Sequence, residues 1–272
     1  MNTFNAVTSA VFDVLLAPFG HGAAGFDLLL WPILCGVVAL IIYKYVSNQR
    51  GIARAKDQIK MHLLEVRLWR HDLRTVFPAI GRILVKNTVY VAHNLMPMVV
   101  LIVPFLAVLV QLEANYAFAP SEPGTVELLH VTLAKDATVR ATDVRLALPD
   151  GVSLDAPPVR TPDGEVFWRL RADTPGDHVL RLQAGDAVLE KGWAVGGPPR
   201  KVPVKRTRDW EAFLYPGEAG IPAGSPFHAV VLRYPVRELP WLPDGELGVL
   251  AWFFLLSLVA GFALKDVFGV TL

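Results

Sequence analysis

The chain has 272 residues, 53% of them hydrophobic, with a mean hydropathy of +0.40. Soluble domains sit nearer 45–50% apolar, so composition excludes an ordinary water-soluble globule. The net charge is only +1, and no nucleic-acid partner is expected. The one cysteine, Cys35, rules out an intrachain disulfide; in mid-span it reads as a small apolar packing residue.

The N-terminal stretch MNTFNAVTSAVFDVLLAPFG carries no base, so it lacks the basic region of a signal peptide. Phe4, Val7, Val11, Val14 and Leu15 recur at helical spacing with Asn5, Ser9 and Asp13 between them. The pattern predicts an amphipathic helix at the outer membrane boundary over 1–27.

Three uncharged runs follow: Leu28–Tyr43, Asn87–Leu112 and Leu247–Leu264. Each approaches the ~20 residues that cross a bilayer core. The expected spans are 28–46, 96–112 and 247–264, with Asp27 tolerated at the interface. Residues 1–28 hold two acids and no Lys or Arg, whereas 44–86 hold ten bases against three acids. Residues 113–246 hold fifteen bases against nineteen acids, and Lys265 follows the last span. The positive-inside rule therefore predicts an outer N-terminus, a cytoplasmic 47–95, an outer 113–240 and a cytoplasmic tail at 265–272.

Within SNQRGIARAKDQIKMHLLEVRLWRHDLRTVF (47–77), Ile52, Ile59, Val66 and Leu73 repeat every seven residues. Lys56, Leu63, Arg70 and Phe77 follow each by four. This predicts an apolar helical seam flanked by long basic side chains. Phe77–Pro78 breaks the pattern, and Ile80, Ile83, Leu84 and Val91 restart it. The expectation is an antiparallel hairpin over 47–95, turning near Pro78. It reads either as an arm that meets a ribosome, a nascent chain or anionic lipid, or as a solvated hairpin whose charge sets topology.

Arg82, Lys86, His93 and Asn94 fall within about one broad helix face at the start of the second span. They read as a polar client-binding vestibule, or as ordinary interfacial snorkelling plus an Asn bonded to a neighbouring helix. Pro97 and Pro104, two turns apart, are candidate kinks that could open a cavity, or packing alone.

Residues 113–240 change character. VELLHVTLA, TVRATDVRLAL, EVFWRLRA, HVLRLQAG, AVLEKGWAV, KVPVKR and FHAVVLRYPV are short alternating runs separated by LPDG, TPDG, TPGD and AGD. About seven strands at this spacing predict an all-β, Ig-like sandwich between spans two and three. Val166, Trp168 and Leu170 should face one way, Phe167, Arg169 and Arg171 the other. RKVPVKRTR (200–208) reads as an edge strand protected by charge and proline, with pairing to the domain's own acids or contact with lipid head groups as alternatives. Trp241 is expected at the interface. His130, His178 and His228 are isolated, and no nucleophile elbow, carboxylate pair, zinc spacing or phosphate loop is present. No catalytic residue, metal or cofactor is expected.

The order of elements (outer N-terminus, span, basic cytoplasmic helices, span, outer segment, span) resembles the YidC/Oxa/Alb insertase superfamily. The likeness is greatest to its reduced three-span members, such as archaeal YidC-like proteins and the matching subunit of the eukaryotic ER membrane protein complex. YKYVSNQRGIARAKDQIKMHLLEVR and LMPMVVLIVPFLAVL carry it, over about 30–112 and 247–266. The resemblance implies a non-enzymatic inner-membrane insertion or assembly factor with a cytoplasm-facing polar groove. Its partners would be the bilayer and nascent membrane proteins. Many bacterial members place an arginine in that groove; these spans hold no Arg or Lys at mid-depth. The rival reading is a structural or adaptor subunit whose β-domain binds another membrane subunit. An ion-conducting assembly suits such apolar spans poorly.

Overall fold

A computed structural model describes residues 7, 9–14, 24–135, 137, 139–239 and 244–270. Phe4, Leu15, Trp241 and the last two residues of the tail lie outside the described residues, so the expectations placed on them are not addressed. The chain divides into two compact units, Leu29–Ala107 with Phe253–Leu272, and Met1–Leu28 with Val108–Trp252.

Four helices are named here α1 (Ala24–Val46), α2 (Gln49–Leu68), α3 (Leu73–Tyr116) and α4 (Gly245–Leu264). Three of them, α1, α3 and α4, are long and apolar enough to cross a membrane. At 1.5 Å per residue α1 and α4 reach about 35 and 30 Å, close to the ~30 Å hydrocarbon core. The 44-residue α3 extends about 66 Å, twice that thickness. Its charged first third therefore has room outside the apolar layer.

In the helical unit, α2 starts on Asn48, whose Oδ1 accepts from the Gly51 N–H at 2.9 Å. It ends near Trp69, and α3 begins after Asp72. The Asp72 carboxylate accepts from the Arg74 N–H at 3.1 Å and from Thr75 Oγ1 at 2.7 Å. This side-chain cap explains a difference from the sequence reading. The helix break falls at Trp69–Asp72, not at Pro78, which lies inside α3. A capped start tolerates a proline six residues in, at the loss of one backbone bond.

The seam of α2 also differs in part. Ile52 is fully buried and Ile59 and Val66 are half-buried, as the seven-residue repeat requires. Their companions are Ala55 and His62, three residues on, while Leu63, Arg70, Leu73 and Phe77 are exposed. On α3 the inward line is Val76, Ala79, Ile83, Lys86, Tyr90 and Pro97; Ile80, Leu84 and Val91 face away. The +3 alternative obeys the same helical geometry as +4. Ala55 and Ala79 are both buried on these lines.

Among the described residues the second unit holds eight strands: β1 Val126–Leu133, β2 Val144–Ala147, β3 Val152–Arg160, β4 Glu165–Ala172, β5 Gly176–Ala184, β6 Ala187–Val195, β7 Lys205–Thr207 and β8 Phe227–Leu232. They form two antiparallel sheets, ordered β3-β4-β1-β8-β7 and β2-β5-β6. One core joins them. Leu129, Val131, Val166, Trp168 and Leu170 of the larger sheet share it with Leu180, Leu182, Leu189 and Trp193 of the smaller. On β4 the burial alternates as the sequence pattern demands, with Val166, Trp168 and Leu170 in and Arg169 and Arg171 out. β3, which the alternation rule passes over, contains Pro157 and Pro158 and buries no side chain. It sits at a sheet edge, where missing donors are tolerated.

The β-domain's two chain crossings are stitched together. Phe118 bridges Val236 antiparallel, and the N–H groups of Ala119 and Arg237 donate to the carbonyls of Pro235 and Ala117 at 3.0 Å each. Past this stitch the entering chain reaches Ser121, whose Oγ accepts from the Trp193 indole at 3.1 Å.

Candidate functional site

The polar residues singled out on α3 do not converge on one cavity. From Arg82 to Asn94 the helix rises about 18 Å, and each residue has its own surroundings. Arg82 Nη1 lies 3.3 Å from Glu65 Oε1, tying α3 back to α2. Glu65 also accepts from His62 Nδ1 at 2.8 Å. That hydrogen bond, with the Arg82 charge, holds the Glu65 carboxyl below its ordinary range. Lys86 is half-buried, its stem lying along the inward line of α3. His93 faces Gly51, where an added Cβ would lie 2.8 Å from both His93 Nε2 and Asn48 Nδ2. A methyl there would displace one or both of these side-chain ends. Asn94 Nδ2 donates to the Tyr90 carbonyl at 2.7 Å, and its Oδ1 accepts from the Tyr43 hydroxyl. Asn94 thus pins α1 to α3, as expected for a polar group at membrane depth.

Pro97 is buried and Pro104 half-buried, and α3 continues through both. Each leaves one carbonyl a turn earlier, on His93 and Val100, without its helical donor.

Between the apolar helices of this unit lies a cleft of about 250 Å³. Gly36, Ala39, Leu40 and Tyr43 line it from α1, Leu101 and Phe105 from α3, and Phe254, Ser257, Leu258, Gly261 and Phe262 from α4. Phe105 packs edge-on against Phe253 at 5.5 Å. The wall is apolar apart from Tyr43 and Ser257. None of Arg82, Lys86, His93 and Asn94 lines it. Gly36 sets the distance between α1 and α4, since a Cβ there would lie 2.6 Å from the Ser257 carbonyl oxygen and 2.9 Å from Ala260 Cβ.

The break between α2 and α3 carries a group of exposed large apolar side chains. Leu64, Leu68, Trp69, Leu73 and Phe77 are all more than half exposed. Arg67, Arg70 and Arg74 stand among them. An apolar patch interleaved with guanidinium groups can take up amphipathic surfaces of lipid or protein.

In the other unit a buried polar layer escaped the sequence reading. Asp27, Gln111, Asn115 and Tyr116 are all at most 1% exposed. The Tyr116 hydroxyl donates to Asp27 Oδ2. Asn115 Nδ2 donates to the Gln111 carbonyl at 2.7 Å, and Arg237 Nη1 donates to the Asn115 carbonyl at 3.1 Å. The Arg237 guanidinium also lies 5.3 Å from the Tyr116 ring centre. Lys201 Nζ reaches Gln111 Oε1 at 3.1 Å and Asp13 Oδ1 at 3.3 Å, and Gln111 Nε2 donates to Ser9 Oγ at 3.2 Å. Residues 9–14 are helical; Phe12 faces protein, while Val7, Val11 and Val14 remain exposed. The layer was detectable as Gln111 and Asn115 one turn apart, but its partners come from distant segments.

The β-domain's charges are used internally. Arg200 pairs with Asp177 at 2.7 Å and Lys205 with Glu211 at 3.2 Å, so the 200–208 run meets the domain's own acids. Lys191, fully buried, donates to Glu218 and to the Pro203 carbonyl. Burial pushes its ammonium below the usual lysine range. Glu218 also accepts from the Gly192 N–H at 2.6 Å. His130 stacks on Phe167 at 4.3 Å, and a ring nitrogen of His178 lies 2.8 Å from the Thr174 carbonyl. Among the described residues no three His, Cys, Asp or Glu side chains group as metal ligands.

No protein-family model, curated protein or solved structure matches this chain.

Proposed function

We propose that this multi-pass membrane protein assists insertion or assembly of other membrane proteins, in the manner of the reduced YidC/Oxa-type insertases it resembles, without enzymatic chemistry. The observation that carries the reading is the arm between its first two apolar helices. We read α2 and the start of α3 as an antiparallel hairpin, supported by the Arg82–Glu65 bridge and the seating of His93 on Gly51. Its turn exposes Leu68, Trp69, Leu73 and Phe77 among arginines, a surface suited to an amphipathic client segment. The charge distribution supports a cytoplasmic arm, an outer Ig-like β-domain and residence in an inner membrane.

The test is insertion of a short-tailed client into liposomes by the purified protein. Full-length protein promotes insertion, and deletion of 50–85 or the triple change Leu68→Ser, Trp69→Ser, Phe77→Ser abolishes it. Absence of promotion by the full-length protein refutes the reading. Topology is checked in a Cys35→Ala background, where Lys60→Cys labels only from the cytoplasmic side and Asp150→Cys only from outside.

A second reading draws on the apolar cleft and the engaged state of Arg82 and Asn94. A groove with no charged residue, whose Tyr43 and Ser257 hydroxyls already donate to Asn94 and the Phe254 carbonyl, favours an adaptor that kept the helical frame and binds another membrane subunit through its β-domain. Under that reading a mild-detergent pull-down recovers a stable partner that needs 121–240 and not the arm.

A further inference from the structure

The cleft in the helical unit has a polar end that its lining alone does not reveal. Along α1 it runs from Gly36 to Tyr43, and along α4 from Phe254 to Phe262, about 10–12 Å in each case. Lys44 follows Tyr43 directly and is exposed. Lys265 stands one turn beyond Phe262, with its Nζ 5.9 Å from that ring's centre. Two of the helices that line the slot therefore each carry a lysine just past the end where Tyr43 and Leu264 share one apolar cluster. The acid nearest them in sequence is the exposed Asp266. The opposite ends of α1 and α4 carry acids instead, Asp27 and Glu246.

We propose that this slot holds one acyl chain of an anionic phospholipid, whose phosphate sits against Lys44 and Lys265. Size favours a chain over a helix. The 250 Å³ accommodates on the order of eight groups of ~30 Å³ each, the volume of one water and close to that of a methylene. A client helix, 10–12 Å across with its side chains, does not fit between Phe105, Phe254 and Phe262. Charge then selects the lipid. A basic residue near an anionic headgroup is worth about fivefold in binding, and two act together here. The Tyr43 hydroxyl is already engaged by Asn94, so headgroup recognition falls to the lysines. This inference does not depend on insertion activity, since a protein inactive in insertion would still bind the lipid.

The experiment is native mass spectrometry of the delipidated full-length protein in mild detergent, with phosphatidylglycerol or phosphatidylcholine added at equal concentration. The wild type retains one phosphatidylglycerol, at least fivefold over phosphatidylcholine. Lys44→Gln with Lys265→Gln keeps one lipid but loses the preference. Ala39→Phe, which fills the slot, loses both lipids, and Leu101→Trp does the same should Ala39→Phe not fold. Equal retention of the two lipids by the wild type overturns the proposal. So does undiminished phosphatidylglycerol binding in a folded slot-filled variant, or a dimer that excludes lipid.

Discussion

Replacing Gly36 by alanine should destabilise the helical unit, against the usual direction of that substitution. Inside a helix, alanine is favoured over glycine by about 1 kcal/mol. At Gly36 the added methyl would sit 2.6 Å from the Ser257 carbonyl oxygen and 2.9 Å from Ala260 Cβ. Two of these obstacles belong to a facing helix backbone or its Cβ, which cannot rotate away. Over-packing of this kind costs about 1–3 kcal/mol, and in lipid no hydrophobic gain between helices offsets the separation. The net loss is therefore about 0–2 kcal/mol, and Gly36→Leu loses more. Gly81 provides the control, because a Cβ there meets nothing within 4 Å. Gly81→Ala should gain about 0.5–1 kcal/mol. The assay is reversible SDS denaturation of the purified full-length protein, comparing the two variants on one scale. A Gly36→Ala protein as stable as Gly81→Ala would refute the close-approach argument.

The Tyr43–Asn94 pin predicts that Tyr43→Phe and Asn94→Ala each lose about 1 kcal/mol in the same assay, with a coupling of about 0.6 kcal/mol in the double variant. Glu218→Ala strands the Lys191 ammonium in the β-domain core and should cost about 3–5 kcal/mol in thermal unfolding, whereas Lys191→Met with Glu218→Gln recovers most of it. Because the folded Lys191 binds its proton less tightly than the unfolded one, stability gains as pH rises between the two values. The Glu218→Ala defect is accordingly smaller at pH 10 than at pH 7. Glu65 gives the same sign in the acid range. Its carboxyl is held low in the fold, so its tie to α3 is present above about pH 4 and disappears as pH falls further. Hydrogen exchange along α2 should report this loosening, and Glu65→Gln should remove it.

The parts of this fold that repeat locally were legible from residue order. Uncharged runs identify α1, α3 and α4 because a bilayer core imposes a length that few other environments demand. Alternation identifies β1, β4, β5 and β6 because each buries one face. The same rule passes over β3, whose prolines and register shifts at Leu154–Val159 belong to an exposed edge. Residue order also misplaces the helix break, which falls at Trp69–Asp72. Pro78 is the louder breaker in sequence, but the Asp72 cap outcompetes it.

What residue order could not supply is which partner each polar or small group meets. Gly36 is one glycine among twenty-one until Ser257 and Ala260 are brought against it. Asp27 reads as an interfacial acid until Tyr116 closes over it, and Asn94 as one of four vestibule candidates or an Asn bonded to some neighbouring helix until Tyr43 is seen to donate to its amide oxygen. Sequence alone determined the apolar helices, the charge pattern and the β-domain, because these follow from transfer of side chains between water and an apolar phase. Tertiary structure alone decided the seam of α2, the apolar character of the cleft and the buried polar layer. Those depend on distances of a few ångströms between segments as much as about two hundred residues apart.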